Sequence, residues 1–462
     1  MKQLNIKQHI HVVGIGGTGM SAIARVLLER GHPVSGSDRV LNPVTEALQR
    51  DGATIYAGHA ASNIDGADML VVSSAVHDNP EVAAAESAGI LVYKRKDFLP
   101  ALLHGKSTLA IAGTHGKTTT TAMTAHILRE AGVDPGYIVG SVLANSGTNA
   151  AAGHDNHFVI EADEYDDMYL GLKPAVAVVT SAEWDHPDFF PTEADLLASF
   201  RKFIGNIQPD GTLIINTDDW RTQALVSTRP TGTLVTYGYN KRADAFIHNL
   251  EVRKDKRLHF DVYVKTPLPV LKAHFALQLM GRHNAANALA AALAAEAAGV
   301  PFEKSARALA SFQSTGRRFE VRCEVDGLVV IDDYAHHPTA ITVTLEAARM
   351  AYPQHRIWAV WQPHTYSRTQ ALMSGFAHAF KDADHVLVTD IYASREQPVP
   401  GIDSKSVVKV LKAHHPDVVY TGDLESTAAR LLKKVRGRSV VIIFSAGDAP
   451  RIGQMLQDSK KA

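Results

Sequence analysis

The sequence predicts an α/β protein of three successive domains, each built round a largely parallel sheet, and three observations carry that expectation. Short apolar runs alternate with helical stretches along the whole 462-residue chain, the pattern of βαβ units. Two glycine-rich loops, Gly14–Gly19 and Gly113–Gly116, each lie between an apolar run and a helical stretch. The rhythm restarts after His104-Gly105-Lys106 and again after Ser314-Thr315-Gly316, and the length suits about three domains at roughly 150 residues each. The expected domains are 1–105, 106–316 and 317–462.

The first block opens with a strand at Ile10–Val13, the loop Gly14-Ile15-Gly16-Gly17-Thr18-Gly19, and a helix from Ser21 to Arg30 that Gly31 closes. A strand at Pro33–Ser37 ends in Asp38, and Met69–Val72 is a further strand. The second block starts with the strand Thr108–Ala112. It continues with strands at Phe158–Ile160, Ala175–Thr180 and Thr212–Asn216 and an alanine-rich helix, Asn284–Ala298. Within it, Arg242–Ala273 alternates charged and apolar residues, which predicts an antiparallel edge or a small sheet. The third block has strands at Leu328–Ile331, Ile357–Trp361, Val386–Thr389 and Val440–Phe444, and its charged tail, Asp458–Ala462, is expected to fray.

Composition narrows the function classes. Apolar residues make up 45% and charged residues 21%, enough for packed cores and too apolar for wholesale disorder. Lys plus Arg (47) nearly cancels Asp plus Glu (48). That excludes binding to nucleic acid or an anionic membrane by bulk charge, and leaves room for a local basic pocket for a phosphorylated small molecule. The single cysteine, Cys323, excludes an internal disulfide and a multi-cysteine zinc site. No apolar run approaches the roughly 20 residues of a membrane span. Polar Met1–Lys7 leads into the first strand without a secretory apolar run, so a cytoplasmic location is expected.

The strongest chemical signal is Gly113-Thr114-His115-Gly116-Lys117-Thr118-Thr119-Thr120-Thr121. Glycines let backbone amides close round phosphate oxygens, and the helix N-terminus favours anions. Lys117 can reach β/γ-phosphates, and Thr118 stands where a hydroxyl ligates Mg²⁺. The spacing departs from the usual phosphate loop because Ile111 occupies the first glycine's place. A Gly-Lys-Thr turn alone can merely cap a helix; strand, loop, lysine and four threonines together point to a nucleoside triphosphate. Mg²⁺ needs hard oxygen ligands, which α/β sheets offer at strand ends. Glu161, followed by Ala162-Asp163-Glu164, could hold the ion, and His186 beside Asp185 a second one.

Gly14-x-Gly16-x-x-Gly19 with Asp38 after the next strand reads as a dinucleotide fingerprint. A diphosphate ligand is expected there, with its nucleoside left open. A dehydrogenase would also need a hydride-transfer site, of which the sequence gives no clear sign. In the third block, Asp332-Asp333-Tyr334-Ala335-His336-His337 and Gln362-Pro363-His364-Thr365-Tyr366-Ser367-Arg368 follow strands, where binding groups belong. Arg317-Arg318 could bring a cation to a phosphate that gains charge during transfer, or could simply be an exposed linker.

GIGGTGM, SGSD, AGTHGKTTTT, EADE, DH, GRHNAANALAA, GRRFE, DDYAHHP and QPHTYSRT occur in this order over almost the whole chain, and with them the chain resembles the Mur ligase family. The resemblance implies a Rossmann-like N-terminal domain for a UDP-sugar, a central P-loop ATPase domain, and a Rossmann-like C-terminal domain with amino-acid contacts. It implies an ATP- and Mg²⁺-dependent ligase that joins L-alanine to the lactoyl carboxylate of UDP-N-acetylmuramate through an acyl phosphate, in peptidoglycan precursor synthesis. The alternative is a recycling ligase that attaches a murein tripeptide to the same sugar. A non-catalytic ATP-driven interaction module is disfavoured by the intact Lys117, Thr118 and Glu161 set, and a nicotinamide oxidoreductase by the ATP-type loop.

By the same resemblance Gly113, Thr114, His115, Gly116, Lys117, Thr118 and Thr119 hold the ATP phosphates, and Thr118, Glu161 and His186 the metal ions. Asn284 and Asn287 face the adenine end and Asp333 the ribose; Lys117, His186 and Arg318 are the catalytic set, with Arg318 reaching the phosphates from the third domain. Gly14, Gly16, Gly17 and Gly19 take the UDP diphosphate, with Asp38, His59 and Ser74 near the uridine. Tyr334, His336, His364 and Arg368 surround the alanine, and Arg368 pairs with its carboxylate. Departures stand out: Thr365 where some members carry arginine, Ser181 for the usual asparagine, and Arg201 beside Lys202 where several members have a carbamylated lysine, so no such modification is expected. Substrate partners are small molecules only; oligomeric state is left open.

Overall fold

The computed structural model describes residues 4–5, 7–228 and 232–461. Met1–Gln3 and Ile6 of the polar N-terminal stretch, and Ala462 of the charged tail, lie outside the described residues. Three sheets organise the chain. The first holds β1 (Ile10–Val13), β2 (Val34–Asp38), β3 (Thr54–Ala57), β4 (Met69–Val72) and β5 (Leu91–Lys94) in the order β3-β2-β1-β4-β5, all parallel. The order reverses between β1 and β4, so a crevice opens where their carboxyl ends diverge. The glycine loop after β1 and the turn after β4 line it.

The second sheet has ten strands. They are β6 (Ser107–Ala112), β7 (Gly136–Ile138), β8 (Ala150–Ala151), β9 (His157–Glu161), β10 (Val176–Val179), β11 (Thr212–Asn216), β12 (Thr233–Gly238), β13 (Ala245–Val252), β14 (Leu258–Lys265) and β15 (Pro269–Leu277). Their order is β15-β14-β13-β12-β11-β10-β6-β9-β7-β8. The alternating stretch Arg242–Ala273 is the antiparallel ribbon β13–β15. It is not a separate sheet, because Tyr237 and Gly238 of β12 pair in parallel with Ala245 and Phe246. The alanine-rich helix begins at Arg282 and ends at Ala297. Its small side chains, Ala285, Ala288, Ala290, Ala291, Ala292, Ala294 and Ala295, are all buried, so it sits close against the sheet and against helix Lys117–Glu130.

The third sheet holds β16 (Glu320–Val325), β17 (Leu328–Asp333), β18 (Arg356–Trp361), β19 (His385–Thr389), β20 (Val418–Gly422) and β21 (Ser439–Phe444), ordered β16-β17-β21-β18-β19-β20. Only β16 runs antiparallel. Helix Pro450–Lys461 extends into the charged tail where fraying is expected, and its preceding turns are anchored by buried Ile452 and Leu456.

The first and second units share one apolar core, in which Ile23, Leu27, Phe98 and Leu102 meet Phe158, Ile160 and Tyr169. Arg30 donates to the carbonyl of Leu102 at 2.5 Å and lies over the Phe158 ring. No helix of the described residues is long and apolar enough to cross a membrane.

Candidate active site

The loop after β6 is shaped by its glycines. Gly113 has φ +132°, and a Cβ there would lie 2.1 Å from Thr180 Oγ1 and 2.8 Å from the Ser181 nitrogen. Gly116 has φ +81° and would strike the Asn287 Oδ1 at 2.5 Å. Both conditions select glycine. The loop is pinned to the segment after β10: the N–H of Thr114 donates to the Ser181 carbonyl (3.2 Å), and the N–H of His115 to the Ser181 hydroxyl (2.8 Å). Ser181, the departure noted in the sequence, thus serves as a rung for the phosphate loop. The Thr114 hydroxyl donates to the carbonyl of Glu183 at 2.6 Å.

Helix Lys117–Glu130 starts at the loop and turns Lys117 and Thr118 toward the ends of β9 and β10. The Lys117 ammonium donates to both oxygens of Glu164, at 2.9 and 2.7 Å. Burial alone would lower the Lys117 pKa, but Glu164 and then Asp163 outweigh it and raise it. Thr118 donates its hydroxyl to Glu161 Oε1 at 3.0 Å, and the N–H of Gly140 donates to Glu161 Oε2 at 2.6 Å. Burial raises the Glu161 pKa, with Lys117 offsetting part of the rise. Two hard oxygen donors in a pocket with surplus carboxylate charge fit a divalent cation of the Mg²⁺ type.

His186 closes the same pocket, in a left-handed conformation (φ +56°) with Nε2 3.7 Å from Glu164 Oε1. Its neighbour Asp185 is buried and accepts from Arg368 Nε at 2.8 Å. Burial would raise the Asp185 pKa; the Arg368 charge, backed by His186, holds it well below the usual carboxylate range. Arg368 also reaches His364 Nδ1 (3.1 Å) and His186 Nδ1 (3.4 Å). The guanidinium expected to meet an amino-acid carboxylate is therefore seated on Asp185 of the second unit. Thr365 caps helix Tyr366–Ala371 by accepting from the Arg368 N–H.

His336 donates Nδ1–H to the Tyr334 carbonyl (2.8 Å), and its ring lies 5.8 Å from that of His364. Burial lowers the pKa of both histidines, that of His364 to about 4. Tyr334 lies beneath both Arg317 and Arg318, at 5.0 and 5.3 Å. Asp333 accepts the N–H groups of Phe319 and Ala335, both at 2.8 Å, and so shapes the turn that carries Arg317 and Arg318. Asn284 donates to the Met280 carbonyl at 2.8 Å, while Asn287 lies against Gly116 of the phosphate loop.

In the first unit, Gly14 (φ +78°) and Ile15 donate to the Ser37 carbonyl. Asp38 accepts the Gly16 N–H at 2.9 Å, so it braces the glycine loop itself. Gly17 precedes helix Thr18–Glu29, which starts inside the fingerprint with Gly19 as its second residue. His59 sits on a buried network in which Glu81 accepts from Ser37 (2.6 Å), His59 (3.1 Å) and Asn63 (2.6 Å). Ser74 is exposed on the turn after β4.

The sequence reading missed several residues of this region. Glu183 accepts from His115 Nε2 at 2.9 Å and from the Thr339 hydroxyl at 2.8 Å, joining the phosphate loop to the third unit. His283, with its pKa lowered to about 4 by burial and then by Arg318, lies against Gly281 at the start of the alanine-rich helix. The one sequence signal for Arg95 is its place in Lys94-Arg95-Lys96, a basic triplet at the end of β5.

Fold and site together define a phosphate-loop ligase of three α/β units, and comparison with known proteins agrees. Family models match at residues 9–107 (Mur ligase family, catalytic domain), 111–295 (Mur ligase middle domain) and 317–447 (Mur ligase, glutamate ligase domain). The chain belongs to the Mur ligase family. It is 40% identical over 456 residues to a UDP-N-acetylmuramate–L-alanine ligase of Desulfatibacillum aliphaticivorans, covering 98% of this chain and 99% of that one. The crystal structure of the UDP-N-acetylmuramate–alanine ligase of Thermotoga maritima superposes with a TM-score of 0.81 at 27% identity, over 98% of this chain and 99% of that one. A murein peptide ligase of Psychrobacter arcticus gives 0.72 at 25% identity, over 98% of each chain.

Proposed function

We propose that the chain joins L-alanine to the lactoyl carboxylate of UDP-N-acetylmuramate, consuming ATP and releasing ADP and phosphate. One observation carries the reading: Lys117, Thr118 and Glu161 converge where β6, β9 and β10 end, in a chain similar over its full length to ligases of that name. A carboxylate is a poor acyl donor because oxide is a poor leaving group. Transfer of the γ-phosphoryl group to the carboxylate makes phosphate the leaving group, and the alanine amine then attacks the acyl carbon.

The chain's own groups supply positioning and charge. The phosphate loop presents its N–H groups to the ATP phosphates, and Lys117 exchanges Glu164 for the β/γ-oxygens. Thr118 and Glu161 would hold Mg²⁺, and His186 a second ion; when bound, these ions neutralise charge on the phosphoryl group. Arg318 approaches the phosphates from the third unit, while Tyr334, His336, His364 and Arg368 enclose the amino acid. We assign the Gly14–Gly19 loop to the UDP diphosphate. The reaction belongs in the cytoplasm, where ATP is made.

The shared fold of the Psychrobacter murein peptide ligase keeps tripeptide transfer as a second reading, and one assay separates the two. Phosphate release with UDP-N-acetylmuramate and L-alanine is expected. Release with the tripeptide and none with L-alanine would reject the proposal.

A further inference from the structure

Arg95 opens helix Arg95–Leu102, directly after β5 of the first unit. Its guanidinium lies against Gly19 of the diphosphate loop: a Cβ on Gly19 would sit 2.5 Å from Arg95 Cζ and Nη1 and 2.9 Å from Nη2. Gly19 is thus glycine because an arginine occupies the space its side chain would fill. The helix is locked to the second unit, where the Lys96 carbonyl touches the Cα side of Gly171, at the end of the segment that follows Glu161-Ala162-Asp163-Glu164. Asp163 and Glu161 are the charges that act on the guanidinium, partly offsetting the lowering of its pKa by burial.

No side-chain hydrogen bond holds this guanidinium among the described residues. Its Nε is buried with no partner, and Glu161 is engaged by the Thr118 hydroxyl and the Gly140 N–H. A buried Nε–H without an acceptor is costly, and the rest of this half-buried planar fork offers its donors to an anion. Arg95 stands between the two anion sites of the molecule, the glycine loop after β1 on one side and the Glu161 pocket on the other.

We propose that Arg95 binds an anionic oxygen of the UDP-sugar, either its diphosphate or its lactoyl carboxylate, and so steers the carboxylate toward the γ-phosphate. This rests on the function proposed above and adds a substrate-positioning residue to it. The two anion sources separate experimentally, because UDP-N-acetylglucosamine carries the same diphosphate and lacks the lactoyl group.

Dissociation constants of both UDP-sugars would be measured by calorimetry for the parent, R95A and R95K, alongside ligation kinetics with L-alanine. R95A is expected to weaken UDP-N-acetylmuramate roughly 10–100-fold, the loss of a charge-assisted hydrogen bond, while leaving the affinity for ATP analogue within about twofold. R95K should recover part of the loss, since it restores charge without the fork. An equal loss for both sugars assigns the diphosphate; a loss confined to UDP-N-acetylmuramate assigns the carboxylate. Unchanged affinities and kcat/KM in R95A overturn the proposal, as does a lowered Tm with parental kinetics. Failure of the parent itself to ligate L-alanine would overturn the parent function instead.

Discussion

Lys117 is held in a bidentate ion pair with the buried Glu164, so nucleotide binding as proposed would exchange one anion for another round a single ammonium. K117A is expected to lower turnover by at least about 10²–10³-fold, the range for removing one preorganised charge partner; a parental rate would remove the phosphate loop from the mechanism. A second residue prediction concerns acid titration. Asp332, at the end of β17 and 2% exposed, has its pKa raised by burial to about 6 from an ordinary 3.8, with Arg317 offsetting part. Its folded pKa is the higher one, so its contribution to stability is whole below 3.8 and is lost as pH rises through about 6. D332N does not titrate there. Its stability relative to the parent should rise on the order of 3 kcal/mol between about pH 4 and pH 7, measured by urea unfolding; a flat difference would contradict the burial argument.

Among elements, the loop between β6 and helix Lys117–Glu130 is the least tolerant of change. G113A drives a methyl group into Thr180 and the Ser181 backbone, so ATP-analogue binding should vanish while the fold persists with a lowered Tm. Gly132 supplies the control: φ is +90°, but nothing lies within 4 Å, so G132A should cost only the backbone strain of about 1 kcal/mol and bind nucleotide normally. This loop was legible in the sequence because its chemistry is local: glycines, lysine and threonine act on one ligand within a single turn. The central strands were legible for a similar reason, as buried parallel strands read as continuous apolar runs. The edge strands β3, β5, β16 and β20 were not, since exposed positions dilute their apolar pattern. Partnerships made across units escaped altogether. Nothing along the chain says that Arg368 rests on Asp185 or that Glu183 reaches Thr339, because more than a hundred and fifty positions separate each pair.

At the scale of the molecule, the second and third units meet through Arg368–Asp185, Thr339–Glu183 and the His337 Nε2 contact with the Trp184 carbonyl. Arg368 and Asp185 are each about 5% exposed, and a buried pair broken on one side typically costs about 3–5 kcal/mol. D185N should therefore loosen this seam: small-angle scattering should show a larger radius of gyration than the parent, narrowed again by ATP analogue and UDP-sugar together. An identical scattering profile would show that the pair does not hold the units together.

The same seam gives the protein an optical reporter. Of its four tryptophans, Trp358 stacks on His385 and Trp361 is sealed among Phe376 and Phe380, both inside the third unit. Trp220 is exposed beside Arg221. Only Trp184 touches both sides, its indole N–H on the Phe190 carbonyl and its own carbonyl on His337. Ligands that shift the two units should change the emission of this one indole, and W184F should silence the signal while the other three tryptophans keep their spectrum.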